Sequence, residues 1–205
     1  MRGGNRDRVG EFRRHIRTAD VDALAAMLTV EFNVEGYPSP EFLALVGRVR
    51  PAQCTLVPDA PDVLTSNAGW RLAGDTAWLQ AAIARLRGEG MRVSLFMDPD
   101  PAQMERARAL GADRVELYTE PYARAFPTAR RDEVFERYRV AAAAAVAVGL
   151  GVNAGHDLDL ENLPHLARHL PGLLEVSIGH ALISDALFMG LAAAVRAYLG
   201  ALGSG

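Results

Sequence analysis

Arg92-Val93-Ser94-Leu95-Phe96-Met97-Asp98 is a short apolar run that ends on an acid, and Asp100-Pro101 follows after one proline, Pro99. Asp is a favoured helix N-cap, and proline is pre-set for the first helical turn. Met104 and Ala107 then share a face, Gly111 supplies a stop, and Arg114–Tyr118 begins the next apolar run. The order is strand, helix, strand, and the same texture extends in both directions. Leu28–Val34, Gln53–Val57, Leu150–Ala154 and Leu174–Ile178 are further runs of buried-strand length. Their near-continuous apolarity suits parallel strands covered on both faces. Between them lie helical segments. Ser39-Pro40 starts one with Phe42, Val46 and Val49 on a face. Asp75 caps another, with Leu79, Ile83 and Leu86 inward and Gly88 and Gly90 at its end. Asp132 opens a long helix through Val134, Tyr138 and an alanine run to Gly149. Ser184-Asp185 begins the last, with Leu187, Leu191, Val195 and Leu199 expected as a core stripe.

About six βα units in a row, preceded by a short helix at Thr18–Met27, predict a parallel sheet with helices outside it. A doubly wound sheet would announce itself by G-x-G-x-x-G after its first strand, and no such turn occurs. The expected fold is therefore α/β, a TIM (β/α)₈-type barrel, incomplete, with the first strand or strands missing. The 205 residues fall short of the roughly 250 typical of that fold. Residues 1–17 form a basic N-terminal segment, 18–202 the barrel domain and 203–205 a tail.

A net charge of −3 gives no electrostatic footprint for nucleic acid. The alanine-rich run Val140–Val148 is far shorter than the ~20 residues that cross a bilayer, and no signal peptide is evident, so the expected compartment is cytoplasmic. A single cysteine, Cys54, excludes an internal disulfide framework and reads as a small core residue. His165 and His169 have the spacing of a helical metal pair, but Leu166 stands where a zinc protease would carry glutamate, and both read as surface or interface residues. No G-x-S-x-G nucleophile elbow occurs. All 22 basic residues are arginine, which argues against an aldolase or isomerase that forms a Schiff base on lysine.

Reactive groups in parallel α/β folds collect at the carboxyl ends of strands. Those ends offer Glu35, Asp59, Asp98, Glu116 with Glu120, His156 and His180. A carboxylate just past an apolar run, as Glu35 is, is partly desolvated and moves toward a useful general-base range. His156 follows the small residues Ala154 and Gly155, which let a substrate approach the backbone. His180 stands before the last helix, where backbone N–H groups make the usual barrel phosphate site.

Seven segments in order resemble the pyridoxine 5′-phosphate synthase family of vitamin B6 biosynthesis. They are Arg13-Arg14-His15-Ile16, Asn33-Val34-Glu35, Thr55-Leu56-Val57-Pro58, Val93-Ser94-Leu95-Phe96-Met97-Asp98, Val115-Glu116-Leu117, Val152-Asn153-Ala154-Gly155-His156 and Ile178-Gly179-His180-Ala181. The resemblance implies a (β/α)₈ barrel with additional helices, assembled as a homo-oligomer, commonly an octamer. It implies a transferase that condenses 1-deoxy-D-xylulose 5-phosphate with 3-amino-2-oxopropyl phosphate, giving pyridoxine 5′-phosphate, inorganic phosphate and water, without metal or organic cofactor. Glu35 matches a catalytic acid/base, His156 the proton donor and Glu116 an active-site carboxylate. His15 and Thr65 match substrate-binding positions, while Gly179, His180 and Asp157 match positions that hold substrate phosphate. Four residues depart from the pattern. Arg8 stands where the family has a histidine, Gly10 where it has an arginine, and Asp157 and Glu120 where it has glycines. The implied activity therefore has a rival: a catalytically impaired relative that keeps a phosphate pocket and acts as a binding or assembly module.

Overall fold

The computed structural model describes residues 17–58 and 68–203. Helix α1 (Thr18–Met27) leads into strand β1 (Asn33–Gly36), then α2 (Pro40–Val49) and β2 (Gln53–Leu56). After residue 68 come α3 (Ala77–Gly88), β3 (Arg92–Met97), a 3₁₀ turn at Pro101–Gln103, α4 (Met104–Ala109) and β4 (Arg114–Leu117). Helices α5 (Glu120–Ala125) and α6 (Arg131–Ala147), β5 (Gly151–Gly155), α7 (Leu163–His169) and β6 (Leu173–Ser177) follow, and the chain ends on α8 (His180–Met189) and α9 (Leu191–Ala201). All neighbouring strands pair in parallel, and their order in the sheet is their order in the chain. A doubly wound sheet reverses order at its middle; this one winds in a single direction, as a barrel does.

The sheet is also curled. Four strand spacings of about 4.8 Å would put β2 and β6 nearly 20 Å apart in a flat sheet. Gln53 Nε2 of β2 nevertheless lies 3.3 Å from both carboxylate oxygens of Glu175 on β6. Six parallel strands thus form part of an α/β barrel, with the helices outside.

Local chemistry explains most element boundaries. Ser39 Oγ accepts from Phe42 N at 3.2 Å with Pro40 in the first turn, so α2 starts where the cap dictates. Asp100 Oδ1 accepts from Ala102 N at 3.0 Å and starts the 3₁₀ turn that runs into α4. Asp75 Oδ1 likewise accepts from Ala77 N, and α6 begins at Arg131, one residue ahead of Asp132. On the sheet's outer face Val93, Leu95, Met97, Val115, Leu117, Val152 and Ala154 are buried in one core with Ile83 and Leu86 of α3 and Tyr138 of α6. Ala141, Ala142 and Ala145 give α6 a smooth buried face that lets it lie close to the strands. Cys54 is part of this core, and burial pushes its thiol up to about 12, so it stays an unreactive hydrophobe.

Three expectations need correcting. Leu28–Phe32 is not strand: β1 begins at Asn33, and Met27 and Val30 are exposed. The last helix does not start at Ser184-Asp185. It starts at His180 and is broken at Gly190, whose φ of +84° suits glycine and turns the chain into α9. The stripe Leu187, Leu191, Val195 and Leu199 is not core: Leu187 is 81% exposed and Phe188 beside it 93%, because no described element packs on that side of α8 and α9. The strands themselves are apolar on one face only, since most of their inward positions carry polar side chains.

Truncating Ile83, fully buried between α3 and the sheet, is expected to cost about 2–5 kcal/mol as Ile83→Ala. Loss of the cap in Ser39→Ala is expected to cost about 1 kcal/mol. Urea unfolding of both variants checks the values.

Candidate active site

Alternate residues of each strand point into the curl, and apart from Phe96, Gly151 and Gly155 they are polar: Asn33 and Glu35, Gln53 and Thr55, Arg92 and Ser94, Arg114 and Glu116, Asn153, then Glu175 and Ser177. Partners in register share a face, so these side chains stack in layers from the strands' amino ends to their carboxyl ends. The lowest layer is a charge network. Arg114 Nη1 donates to Glu175 Oε2 at 2.8 Å and to Asn153 Oδ1 at 3.3 Å. Arg92 Nε donates to Gln53 Oε1 at 2.8 Å, and its guanidinium also pairs with Glu31. These residues line a hollow of about 340 Å³, and their pairings leave a floor rather than a reactive site.

Above the floor sits Glu116, 3% exposed. Burial, followed by the charges of Glu35 and Glu175, pushes its carboxyl well above the usual carboxylate range, with a hydrogen bond from Thr55 opposing the shift. These surroundings destabilise the anion relative to the neutral acid. Thr55 Oγ1 lies 3.4 Å from Glu116 Oε2 and 3.2 Å from Asn33 Oδ1. Gly155 faces the other carboxyl oxygen. A Cβ there would lie 2.9 Å from Glu116 Oε1 and 2.6 Å from Ser177 O, so only glycine lets β5, β6 and this acid close together. Thr119 Oγ1 donates to the Gly155 carbonyl and holds that strand end in place.

The mouth lies at the carboxyl ends. Glu35 is exposed beside it, and its charge acts on both Glu116 and His156. His156 adopts a left-handed φ of +49°, with its N–H donating to Ser177 O at 2.7 Å. That turn lifts the ring off the strand, where it is 58% exposed and packs against the His180 ring at a centroid distance of 5.5 Å. Asp157 Oδ2 approaches His156 Nδ1 at 3.2 Å. This contact, then the Asp157 charge and that of Glu35, raises the imidazole's pKa against an opposing effect of partial burial. Oδ2 is buried, and the His156 ring is its one polar neighbour among the described residues. Gly179 is the residue before α8, and the space its Cβ would occupy is open.

Glu35, Glu116, His156, Asp157, Gly179 and His180 therefore come to one end of the curl, as expected from the strand tips. His15, Thr65 and Asp59 lie outside the described residues. Asp98 and Glu120 are instead held by local partners, although their charges act together with that of Asp157 on the Tyr118 hydroxyl. Asp98 Oδ1 accepts from Gly69 N at 3.0 Å, and Glu120 pairs with Arg124 on its own helix. Asp98 lines a separate hollow of about 940 Å³ with Trp70, Tyr118 and Arg137, which contains none of the mouth residues. His165 and His169 pack on Phe135, with ring centroids 4.6 and 6.5 Å away, and no cluster among the described residues could hold a metal ion. Thr55, Asn33 and Thr119 were not anticipated. The signal for the first two was the period-two recurrence of polar side chains inside apolar runs.

Comparison with known proteins adds the family context. Residues 8–204 match the family model described as pyridoxal phosphate biosynthesis protein PdxJ. A pyridoxine 5′-phosphate synthase from Phocaeicola vulgatus is 50% identical over 191 residues, spanning 93% of this chain and 80% of that protein. One from Cytophaga hutchinsonii is 51% identical over 186 residues, spanning 91% and 78%. Among solved structures, a mutant tryptophan synthase alpha-subunit from Pyrococcus furiosus superposes with a TM-score of 0.57 at 14% identity, covering 91% of this chain and 72% of that one, a likeness of fold alone.

The Glu116 environment predicts a pH signature. A carboxyl whose folded-state pKa is raised stabilises the fold fully below its ordinary value of 4.5, and that stability is lost as pH climbs through the folded-state pKa. Glu116→Gln removes the titration. The variant's unfolding free energy should therefore gain on the parent's by up to about 1.4 kcal/mol per pH unit above 4.5. Urea titrations at several pH values check this, and parallel curves would contradict it.

Proposed function

Because the chain belongs to the PdxJ family of pyridoxal phosphate biosynthesis proteins, we propose that it is a pyridoxine 5′-phosphate synthase whose acid/base groups are the three that meet at the strand tips. It condenses 1-deoxy-D-xylulose 5-phosphate with 3-amino-2-oxopropyl phosphate, releasing inorganic phosphate and water. Imine formation, phosphate loss, ring closure and dehydration each require a proton to move. The observation that carries the reading is geometric: Glu35 and Glu116 lie on the inward faces of β1 and β4, Glu116 is packed against Gly155, and the next residue, His156, stacks on His180 at 5.5 Å.

Their environments divide the work. Asp157 favours the imidazolium of His156, which suits a proton donor to a departing oxygen. Glu35 is the exposed acid/base that accepts a proton from the substrate. Glu116, whose burial destabilises the anion, is the buried carboxyl that gives up a proton and takes it back as the condensation proceeds. Gly179 and the first turn of α8 offer backbone N–H groups with no helical acceptor, and together with His180 they receive a substrate phosphate. His15 and Thr65 complete substrate binding; Asp157, whose N–H already donates to Gly155 O at 2.9 Å, adds a carboxylate that opposes the approach of a second anion. No metal or organic cofactor takes part.

Glu35→Gln and His156→Asn should each lower kcat by about a hundredfold or more in a phosphate-release assay, with a chelator leaving the parent unaffected. A folded parent that binds phosphate yet shows no turnover would favour a non-catalytic binding module instead.

A homo-oligomer in the cytoplasm is part of the same reading. Its support in this chain is the apolar surface of Ile183, Leu187, Phe188 and Leu191 on α8 and α9, too large to leave in water without cost. Among the described residues no helix is long and apolar enough to cross a membrane. Phe188→Glu should shift the sedimentation profile toward smaller species while the far-UV spectrum stays unchanged.

A further inference from the structure

Thr55 carries a single hydroxyl proton and faces two oxygens that can accept it. Asn33 Oδ1 is 3.2 Å away on β1, and Glu116 Oε2 is 3.4 Å away on β4. The hydroxyl is fully buried, so water does not compete for its proton. Ser94 of β3 lies in register with Thr55 and is small enough to let Glu116 reach across; its own hydroxyl is buried and has no hydrogen-bond partner. Oε1 of Glu116 is held against Gly155. Thr55 is β-branched, which restricts its χ1 and leaves the hydroxyl hydrogen as the mobile element.

We propose that Thr55 is a positioning residue whose hydroxyl changes acceptor between Asn33 and Glu116 as Glu116 gains and loses its proton, allowing that carboxyl to act as acid and base in turn. This rests on the reading of Glu116 as an active-site group. When Glu116 is neutral, its O–H donates to Thr55 Oγ1 and the threonine proton goes to Asn33. When Glu116 is ionised, it is the stronger acceptor and takes the threonine proton. One oxygen therefore accompanies the carboxyl through both states. The charged groups acting on Glu116 are Glu35 of β1 and Glu175 of β6, the latter paired to Arg114 of β4. The inward residues of β3 and β5 beside it, Ser94, Phe96, Asn153 and Gly155, do not titrate.

The test compares Thr55→Val, which keeps the shape and removes the hydroxyl, with Thr55→Ser, which keeps the hydroxyl. In Thr55→Val the Glu116 anion loses its donor. The basic limb of the kcat profile should move up by about one pH unit, and kcat at its optimum should fall about tenfold, with KM within about twofold of the parent. Thr55→Ser should restore both. Carbon-13 titration of the Glu116 carboxyl in each purified variant reads the same shift without turnover. An unmoved titration in Thr55→Val, or a serine variant as impaired as the valine one, overturns the inference. Glu116→Gln separates the two levels. If it leaves kcat and the basic limb unchanged, the underlying reading of Glu116 fails. If it abolishes the limb while Thr55→Val does not move it, only the role of Thr55 fails.

Discussion

Arg114 and Glu175 meet inside the curl at 2.8 Å, with Gln53 and Asn153 supplying further hydrogen bonds. Both charges are partly withdrawn from water, and their pairing with the added hydrogen bonds offsets the solvation they lose. The members come from β2, β4, β5 and β6, so satisfying them requires the sheet to bend until its far strands face one another. Gln53, Arg92 and Arg114 are the first residues of their strands. The strands are therefore tied at their amino ends, and the opposite ends stand around a common opening. The network contributes shape to the site without contributing a reactive group.

Above that base, solvent exposure and neighbours set the behaviour of each proton-carrying group. Glu116 is buried, which shifts it toward its neutral form; His156 is half in solvent beside a carboxylate, which shifts it toward its charged form. The separation is produced by a few residues of backbone geometry. The left-handed turn at His156 brings its ring out of the strand, and the bare Gly155 before it lets the acid below lie flush against β5. A different residue at either position would alter the distance between donor and acid, and with it the coupling between them.

The alternation of strand and helix was legible because its determinants are local. Ser39 and Asp100 cap the turns that follow them, Thr18–Met27 is a helix as expected, and the bounds of β3 coincide with its apolar run. The strand-tip rule found the residues of the mouth, since it depends only on where each run stops. What was hidden depends on contacts distant in sequence. Gln53 and Glu175 are 122 positions apart, and nothing near either residue announces the other. Asp98 looked like its fellow strand-tip acids until Gly69 engaged it from another loop. The helix break at Gly190 was missed because Ser184-Asp185 makes an equally good start signal a few residues earlier; in the fold those residues lie inside α8.

The sealed thiol of Cys54 has a practical side. It is the chain's only sulfhydryl, completely enclosed and far too weakly acidic to ionise at neutral pH. Maleimides and spin labels react with ionised, accessible sulfur. A cysteine introduced at an exposed position, such as one on the outer side of α9, would be the single labelled point on an otherwise silent background. Distances between copies of the chain, or from a bound substrate to a fixed marker, become measurable without first removing any native residue.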